Sequence, residues 1–346
     1  MPGNPPRWPA EWEPHRATWL AWPHQRRDWP GKFAPVPWVY AEIVRHLHKS
    51  EIVGLLVNGA KEERQARRCL TKAGVDLSRV EFRHIVTDRV WTRDSGPIVV
   101  KEFGGRNVAL KWRFNGWAKY PNHLHDAEVP AQLAALEGWE RVPVEHNGRP
   151  VVLEGGSIDG NGAGLLLTTE ECLLSDVQQR NPGFTRSDYE ALFARHLGVR
   201  KVIWLNRGIA GDDTHGHVDD LARFVAPRTV VTVVESDRAD ENYVPLQENL
   251  QRLRGATNVD GHSVEIVPLP MPAPLTFAGR RLPASYANFY IANDCVLMPT
   301  FNDPNDRAAL GILAELFPTR QVIGIHAVDL VWGFGTLHCL TQQEPA

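Results

Sequence analysis

A cysteine in the stretch GFGTLHCLTQQE is the first residue whose setting suggests chemistry. Cys339 follows a glycine-containing loop and precedes polar residues, whereas Cys69, Cys172 and Cys295 have apolar neighbours. A lone cysteine is more often an inert, small apolar side chain than a nucleophile, and we interpret those three in that way. A cysteine with histidine and carboxylates elsewhere in the chain is typical of thiol nucleophiles, so Cys339 is the candidate.

The stretch DDTHGHVDD, residues 212–220, supplies histidines and further carboxylates. If it enters a strand, the two-residue period puts His215, His217 and Asp219 on one face. Such a face could bind zinc, or it could work as an acid–base array. A polar turn before a solvated strand start is the third interpretation, and the residue types alone leave all three open.

The stretch VWTRDSGP places Asp94 between Arg93 and a Ser-Gly-Pro turn, with Trp91 three residues upstream. An aspartate in such a turn commonly caps backbone N–H groups. A carboxylate beside an indole face is also a good receptor for a planar cation, because charge-assisted hydrogen bonds combine with cation–π contact. Asp94 and Trp91 are therefore candidates for binding a cationic substrate.

The stretch LEGGSIDGNG places Glu154 after the apolar run PVVL, as though at the end of a buried strand. Buried carboxylates are rare unless they are paired, so Glu154 needs a partner such as an imidazole or a bound cation. The glycines that follow would let another backbone or a ligand approach closely. A plain glycine turn after a strand is the alternative.

Composition excludes several classes of protein. The 346 residues are 43% hydrophobic and 23% charged, with a formal net charge of −3. Because no basic excess or Lys/Arg-rich run could neutralise phosphates, we expect no nucleic-acid partner. No stretch approaches the roughly 20 apolar residues of a membrane helix, and we expect neither a signal peptide nor a membrane partner. The four cysteines have no paired spacing, which favours a reducing, cytoplasmic location.

Short β-rich runs alternate with amphipathic helical segments along the chain, which predicts an α/β fold. No linker divides the sequence, so we predict one domain over residues 1–346. Polar, glycine-containing stretches recur at strand ends, which suggests a propeller-like arrangement with loops that converge on an axis. The predicted helices are residues 36–49, 60–73, 126–137, 185–197 (with a capping pattern from Thr185 to Asp188), 240–254 and 305–316.

Seven motifs occur in order from Trp91 onward, within a resemblance that runs from about Trp8 to the last residue: WTRDSGP, LEGGSID, LTTEECLL, THGHVDD, YANFYIAND, FNDPND and LHCLTQQEPA. Together they resemble the agmatine deiminase and bacterial, Porphyromonas-type peptidylarginine deiminase family. The resemblance implies the pentein fold of guanidino-group modifying enzymes, a five-bladed, pseudo-symmetric α/β propeller with its active site on the central axis. This agrees with the recurrence of polar stretches described above.

The resemblance also implies a role for each candidate residue. Cys339 corresponds to the family's nucleophile and His217 to its general acid/base. Glu154 matches the carboxylate that supports substrate and histidine, and Asp94 and Asp219 match the pair that holds the guanidinium. No metal or other cofactor is implied, because the substrate itself is the cation that these carboxylates bind.

The implied reaction is hydrolysis of a small guanidine, agmatine first, to N-carbamoylputrescine and ammonia through a covalent S-alkylthiouronium on Cys339. Carboxylates near the thiol should raise its pKa, so we expect the free enzyme's thiol to be protonated at neutral pH. The alternatives are deimination of peptidylarginine or another alkylguanidine, an amidinotransferase, and a metal-dependent amidohydrolase that uses His215, His217 and Asp219.

Several positions differ from the family's usual pattern. Phe334 and Thr336 lie ahead of the nucleophile, and Asp220 follows the GHVD aspartate. Val90 precedes Trp91, and the acidic position before it is shifted to Asp88. We predict that these residues lie where the tail of the substrate passes. The expected partner is a small guanidinium compound, and a homo-oligomer is possible.

Overall fold

The computed structural model describes residues 6–102 and 104–346, which form a mixed α/β fold. Its strands are β1 (His15–Ala21), β2 (Ile52–Val57), β3 (Val80–His84), β4 (Ile98–Lys101), β5 (Asn107–Lys111), β6 (Glu140–Pro143), β7 (Glu145–His146), β8 (Arg149–Pro150), β9 (Asp159–Gly160), β10 (Leu165–Thr169), β11 (Lys201–Leu205), β12 (Ala222–Ala226), β13 (Thr229–Val234), β14 (Glu265–Pro270), β15 (Thr276–Phe277), β16 (Arg280–Arg281), β17 (Tyr290–Ile291), β18 (Cys295–Thr300), β19 (Gln321–His326) and β20 (Gln342–Pro345). Its α-helices are α1 (Val36–Leu47), α2 (Ala60–Lys72), α3 (Thr92–Ser95), α4 (Val129–Glu137), α5 (Glu170–Leu174), α6 (Arg186–Leu197), α7 (Tyr243–Arg254), α8 (Asn305–Leu316) and α9 (Leu337–Leu340).

Within the described ranges, the strands form five sheets of three or four strands, besides two short ribbons. The sheet orders are β20-β1-β2-β3, β4-β5-β6, β9-β10-β11, β12-β13-β14 and β17-β18-β19. In each sheet the first strand pairs antiparallel with the second, and the second pairs parallel with the third. A helix connects each parallel pair, as a parallel crossover requires. The fold is therefore built from five similar β-β-α-β units.

The two ends of the described chain meet in one sheet. Strand β20 pairs antiparallel with β1, so that Trp19 lies opposite Gln342. Each half of this pair comes from a different end of the sequence, so the sheet holds the first and last units together. The same pairing fixes α9, which directly precedes β20 and carries Cys339.

The six predicted helices are all present, with ends that differ by up to three residues at a terminus. The capping box that Thr185 and Asp188 predict is formed, and it starts α6. The run before Glu154 is not a strand, because only a single bridge joins Val152 to Arg113. Three one-turn helices, α3, α5 and α9, have no counterpart among the predicted segments, and two of them carry candidate site residues.

Buried apolar side chains form two clusters. The larger one includes the inner strands β2, β13 and β18, and the smaller one lies between β4, β5, β10 and α6. Inner strands such as β10 are buried along their whole length, which explains their continuous apolar sequences. Among the helices of the described residues, none is both long and apolar enough to span a membrane.

Candidate active site

Each of the five sheets places one polar side chain just ahead of its first strand. These residues are Asp94 before β4, Glu154 before β9, Asp219 before β12, Asn288 before β17 and Cys339 before β20. All five are buried. Four of them were candidates from the sequence, and the repeated architecture brings them to equivalent places in their units.

Single-turn elements hold three of these side chains close together. Asp94 lies on α3, which packs against α9 with its Cys339 and against the 3-10 turn Gly155–Ser157. Glycine is required where that turn meets the site, since a Cβ atom on Gly156 would lie 2.5 Å from Nδ1 of His217. A side chain at this position would therefore displace the imidazole or fill the space beside it.

A cavity of about 550 Å³ opens onto the site. Cys339, Asp94 and Trp91, which are candidates from the sequence, line it together with Trp117 and Phe334. The other three candidates lie deeper and do not border the open cavity. They are Glu154, His217 and Asp219, each 0% exposed. The cavity thus reaches the proposed nucleophile, with the imidazole and two carboxylates directly behind its wall.

Asp94 is positioned by two hydrogen bonds. Trp117 Nε1 donates to Oδ2 over 2.8 Å, and the backbone N–H of Gly156 donates to Oδ1 over 3.0 Å. Burial raises the pKa of Asp94 to about 6, although His217 opposes the shift. The carboxyl group is therefore ionised at neutral pH and ready to accept from a cationic donor.

His217 lies among three acids, and neither ring nitrogen has a hydrogen-bond partner in the described structure. Its Nδ1 is 3.8 Å from Asp94 Oδ1, and its Nε2 is 3.8 Å from Glu154 Oε2. Burial lowers the pKa of His217, but Asp94, Cys172 and Glu154 outweigh this and raise it well above the ordinary value. The imidazole is thus protonated and has free N–H groups.

Glu154 has the partner that its burial demands. Nε of Arg180 donates to its two oxygens over 3.0 and 3.3 Å, and both side chains are 0% exposed. Burial raises the pKa of Glu154, but Arg180 and His217 prevail and lower it to about 2. The sequence predicted an imidazole or a bound cation as partner, and the structure supplies the imidazole at 3.8 Å and an arginine of the chain as the ion pair.

Asp219 is held by a chain of charged groups that leads away from the cavity. Its Oδ2 lies 2.7 Å from Nδ1 of His338, and Nε2 of His338 lies 2.8 Å from Glu11. Arg223 in turn donates to Glu11 over 2.8 Å. Burial raises the pKa of Asp219, but the hydrogen bond and charge of His338 outweigh burial and leave the pKa below its ordinary value. The carboxylate is therefore ionised.

Cys339 has two polar contacts at its sulfur. Asn288 Nδ2 donates to Sγ over 3.1 Å, and Asp219 Oδ2 lies 3.8 Å from Sγ. Burial raises the pKa of the thiol well above its usual value, and Asp219, Asp220 and then Asp94 raise it further. This direction agrees with the expectation of a protonated thiol in the free protein.

The face of His215, His217 and Asp219 that a strand would create is not formed. Residues 212–217 form turns rather than a strand, and β12 begins only at Ala222. His215 has a positive φ of 66° and points away from the cavity, with Nε2 3.1 Å from Ser175 Oγ. The two-residue period therefore does not apply, and His215 is not brought together with His217 and Asp219.

A different group, Glu154, Cys172 and His217, has possible ligand atoms within 4.8 Å of one another in the described residues. The Glu154 carboxylate of this group is already paired with the Arg180 guanidinium, which would repel a metal ion. Cys172, which its neighbours suggested to be an inert apolar residue, is buried as expected but lies beside the imidazole. Cys295 is buried too, and burial raises the pKa of its thiol to about 12.

The unusual positions do not all border the path of a substrate tail. Phe334 lines the cavity, as predicted. Val90 is 0% exposed in the core, and Thr336 donates to Asn288 over 2.7 Å. Asp220 is 4% exposed and bonded to Asn288, so it is neither a solvated charge nor a wall of the cavity. Of the five unusual positions, Phe334 and Asp88 border the cavity, and the other three do not.

Several side chains of the site were not among the predicted residues. Arg180 and Trp117 lie in stretches without a local signal, because only the folded chain brings them to Glu154 and Asp94. His338 adjoins the predicted nucleophile, and Asn288 lies in the recurrent stretch YANFYIAND. Those two could have been found by asking which polar residue each recurrent stretch contributes.

Comparison with known proteins identifies the family. The agmatine deiminase of Ectopseudomonas mendocina is 32% identical, and the alignment covers 98% of this chain and 95% of that protein. The solved agmatine deiminase of Enterococcus faecalis superposes with a TM-score of 0.90 at 29% identity, covering 100% of this chain and 98% of the other. The agmatine deiminase of C. jejuni, solved with substrate bound to a variant with serine in place of a cysteine, gives 0.87 at 30% identity, covering 99% and 96%. Residues 7–345 match the Porphyromonas-type peptidyl-arginine deiminase family, and the chain therefore belongs to this family of guanidino-group enzymes.

Proposed function

We propose that this protein hydrolyses agmatine to N-carbamoylputrescine and ammonia, with Cys339 as the nucleophile. The observation that carries the proposal is a cavity whose wall holds the Cys339 thiol and the Asp94 carboxylate, with the unpartnered imidazole of His217 and two further carboxylates directly behind that wall. Such a set suits a substrate that is itself a planar cation, because each carboxylate can accept from its N–H groups. Relatives named agmatine deiminase, similar over nearly the whole chain, support the same substrate.

In this proposal Asp94 and Asp219 hold the guanidinium N–H groups and fix the plane of the substrate against the sulfur of Cys339. The indole of Trp91, on the cavity wall, packs against the same cation. Glu154 keeps His217 charged and oriented from the far side. The resemblance to the family implies the same roles.

The first chemical step replaces nitrogen by sulfur. The Cys339 thiolate attacks the guanidinium carbon, a C–S bond forms, and the C–N π electrons move onto nitrogen. His217, which is protonated in the free site, gives its proton to the departing nitrogen. Ammonia leaves as the C–N bond breaks, and a covalent S-alkylthiouronium remains on the sulfur.

The second step returns the enzyme to its starting state. His217, now neutral, takes a proton from water, whose oxygen attacks the thiouronium carbon. The C–S bond breaks and its electron pair stays on sulfur. The proton of the new hydroxyl group moves to that sulfur as the carbonyl forms, and the neutral ureido product is released. One histidine thus serves as acid and then as base.

Burial, together with the carboxylates of Asp219 and Asp94, keeps the free thiol protonated, so the substrate has to take part in its ionisation. The guanidinium brings a positive charge between the carboxylates and the sulfur. This charge offsets the repulsion that raises the pKa of Cys339. The thiol releases its proton to solvent, because His217 is already protonated, and the thiolate is thereby formed when a substrate is present to react with it.

The Michaelis constant should depend on pH through Asp94. Its pKa of about 6 means that the carboxyl is protonated below pH 6 and cannot pair with the guanidinium. We expect KM for agmatine to be level from pH 7 to 8 and to rise below pH 6, approaching tenfold per pH unit. Initial rates of ammonia release between pH 5 and 8 measure this.

A control variant tests whether the inflection in the pH dependence of KM belongs to the Asp94 carboxyl group. Trp117→Phe removes the N–H that stabilises ionised Asp94, so its inflection should move to higher pH. An inflection at the same pH in both proteins would assign the titration to another group.

A second substrate class has one observation in its favour. Arg89 and Arg280 lie on the cavity wall, Arg89 paired with Asp28 and Arg280 stacked 4.4 Å from the centre of the Phe334 ring. A basic group on the cavity wall suits a guanidine with a carboxylate or a peptide carbonyl in its tail. Arginine, free or in a peptide, is therefore the alternative to agmatine.

The decisive experiment measures ammonia release from agmatine, free arginine and a blocked arginine peptide in parallel, with the Cys339→Ala protein as the blank. Agmatine is expected to react fastest, without any added amine. Faster release from arginine or the peptide would give the alternative substrate, and a requirement for an acceptor amine would indicate an amidinotransferase. No release from any of the three, with the fold intact, would contradict the proposal.

The arrangement of the five units is also part of the proposal. We infer that the sheets surround a central axis as a five-bladed propeller and that residues 1–346 act as one catalytic domain. The recurrence of site residues at equivalent places in the sheets supports this inference. A cytoplasmic location, suggested by four free thiols, and a possible homo-oligomer remain proposals.

A further inference from the structure

One recurrent polar stretch, YANFYIAND, has no part in the reaction described so far. It supplies Asn288, which lies just before β17, where the other four sheets carry the residues already described. Asn288 is 0% exposed. A carboxamide buried this deeply needs partners for its oxygen and its nitrogen, and those partners define what it can do.

The oxygen of the Asn288 side chain accepts three hydrogen bonds. The donors are Thr336 Oγ1 at 2.7 Å, His338 N at 3.1 Å and Cys339 N at 3.4 Å. Because two of these are backbone N–H groups, which can only donate, the oxygen must be the atom that faces them. The orientation of the amide is therefore determined, and its NH2 group points the other way.

Both hydrogens of that NH2 group are used. Nδ2 donates to Cys339 Sγ over 3.1 Å and to Asp220 Oδ1 over 3.0 Å. The sulfur is the atom that attacks the substrate, so this amide touches the reacting group directly. Through the same carboxamide the first turn of α9 is tied to Asn288, so the donor and the sulfur keep a constant separation.

We propose that Asn288 is a further catalytic residue, which donates a hydrogen bond to the Cys339 thiolate, and that Asp220 is the positioning residue that holds the Asn288 amide. This inference rests on the proposed function, since it requires Cys339 to be the nucleophile. A hydrogen bond to a charged acceptor is about twice as strong as one to a neutral acceptor, so the donor stabilises thiolate over thiol. This hydrogen bond lowers the pKa of the thiol, whereas the carboxylates that face the sulfur raise it. These carboxylates are Asp94 from α3 and Asp219 from the turn before β12.

Asp220 can hold the amide without adding a negative charge beside the sulfur. Burial, followed by the charges of Asp219 and Asp212, raises the pKa of Asp220 well above its ordinary value, so the carboxyl is protonated. A protonated carboxyl still offers an oxygen that accepts from Asn288 Nδ2. The contact therefore fixes the donor while leaving the thiolate with one carboxylate fewer to oppose it.

The test is the pKa of the Cys339 thiol, measured from the pH dependence of its alkylation by iodoacetamide and followed on the peptide that contains it. In Asn288→Ala this pKa is expected to rise by about one to two units, and kcat for agmatine to fall at least about tenfold with KM changed less than about threefold. Asn288→Asp keeps the acceptor oxygen and the shape but replaces the donor, so it should raise the pKa at least as much. This second variant carries the test if the alanine protein does not fold.

Asn293→Asp is the matched control. Asn293 lies in the same stretch, but its side chain bonds to the backbones of His15 and Ser50 rather than to the site. Its replacement should lower the thermal midpoint without moving the thiol pKa. An unchanged pKa in both Asn288 variants would overturn the proposal, even if their activity falls.

The positioning role of Asp220 has its own readout. Asp220→Ala removes the acceptor and is expected to raise the thiol pKa and lower kcat, whereas Asp220→Asn retains an acceptor oxygen and should restore most of both. Equal values for the alanine and asparagine proteins would refute this part. Alkylation needs no turnover, so failure of every guanidine as substrate would contradict the proposed function and still leave the hydrogen bond to the sulfur measurable.

Discussion

Replacing His217 with asparagine is expected to lower kcat for agmatine by about 10²–10⁴-fold. The variant keeps a polar side chain of similar reach but can neither protonate the departing nitrogen nor take a proton from water. Asp94 and Asp219 remain in place, so binding of agmatine should change far less than turnover. Stopped-time assays of ammonia release give kcat, and calorimetric titration with agmatine gives the affinity.

His215→Asn is the matched control for this prediction, because His215 lies two residues away but points toward Ser175. Its kcat should stay within about threefold of the unsubstituted protein, as for a change outside the reacting groups. If both histidine variants lost activity equally, the metal-binding interpretation of these residues would regain support. A similar kcat in His217→Asn and the unsubstituted protein would remove His217 from the mechanism.

The fold was predictable to the extent that periodicity is local. The helices α1, α6 and α8 begin within a residue of their predicted starts, because amphipathic spacing and, in α6, a capping box are encoded in adjacent residues. The one-turn helices α3 and α9 were not predictable in this way. They are too short to show a period, and tertiary contacts around the site stabilise them.

The site residues, too, were predictable only where the signal is local in the sequence. Cys339, His217, Glu154 and Asp94 could be proposed because glycine-rich or polar surroundings set each apart from its neighbours. Their partners could not, since a residue such as Arg180 is 26 positions from Glu154 and has no sequence feature that marks it as buried. Residue types indicated the reacting groups, whereas the groups that tune them depend on long-range packing.

The wrong predictions have a common physical cause. The face of His215, His217 and Asp219 assumed an extended backbone, but glycine and the positive φ of His215 turn the chain there. Asp220 was assigned to the path of the substrate tail because it departs from the family's usual residue at this position. Its actual contact, Asn288, lies 68 positions away, so no local pattern could indicate a buried and protonated carboxyl.

Arg180→Met is expected to destabilise the protein by about 3–5 kcal/mol, the usual cost of leaving one member of a buried ion pair alone. The guanidinium is 0% exposed and also donates to the backbone oxygens of Gln178 and Thr214. Methionine fills a similar volume but leaves Glu154 without its main cation and two carbonyl groups without donors. Urea unfolding at pH 7 measures the free energy of unfolding.

The pH dependence of the stability loss in Arg180→Met follows from the ionisation of Glu154. In the unsubstituted protein the pKa of Glu154 is depressed to about 2. Its ionisation therefore stabilises the folded state at pH values above the pKa of the unfolded chain, and this stabilisation is lost as the pH falls toward 2. Without Arg180, burial dominates and the folded pKa rises, so the ionised group opposes folding instead. The deficit of Arg180→Met should therefore be larger at pH 7 than at pH 4.

The double variant Arg180→Met with Glu154→Gln separates the effect of charge from that of the backbone contacts. It removes the unpaired Glu154 carboxylate but does not restore the hydrogen bonds from Arg180 to the backbone oxygens of Gln178 and Thr214. It should recover a substantial part of the stability at pH 7, and its remaining deficit should vary little with pH. Arg186→Met is the exposed control, since Arg186 pairs with Glu170 but is 52% exposed, and about 1 kcal/mol or less is expected. If the double variant were no more stable than Arg180→Met, Arg180 would act through its backbone contacts, and the charge of Glu154 would be balanced by His217 alone.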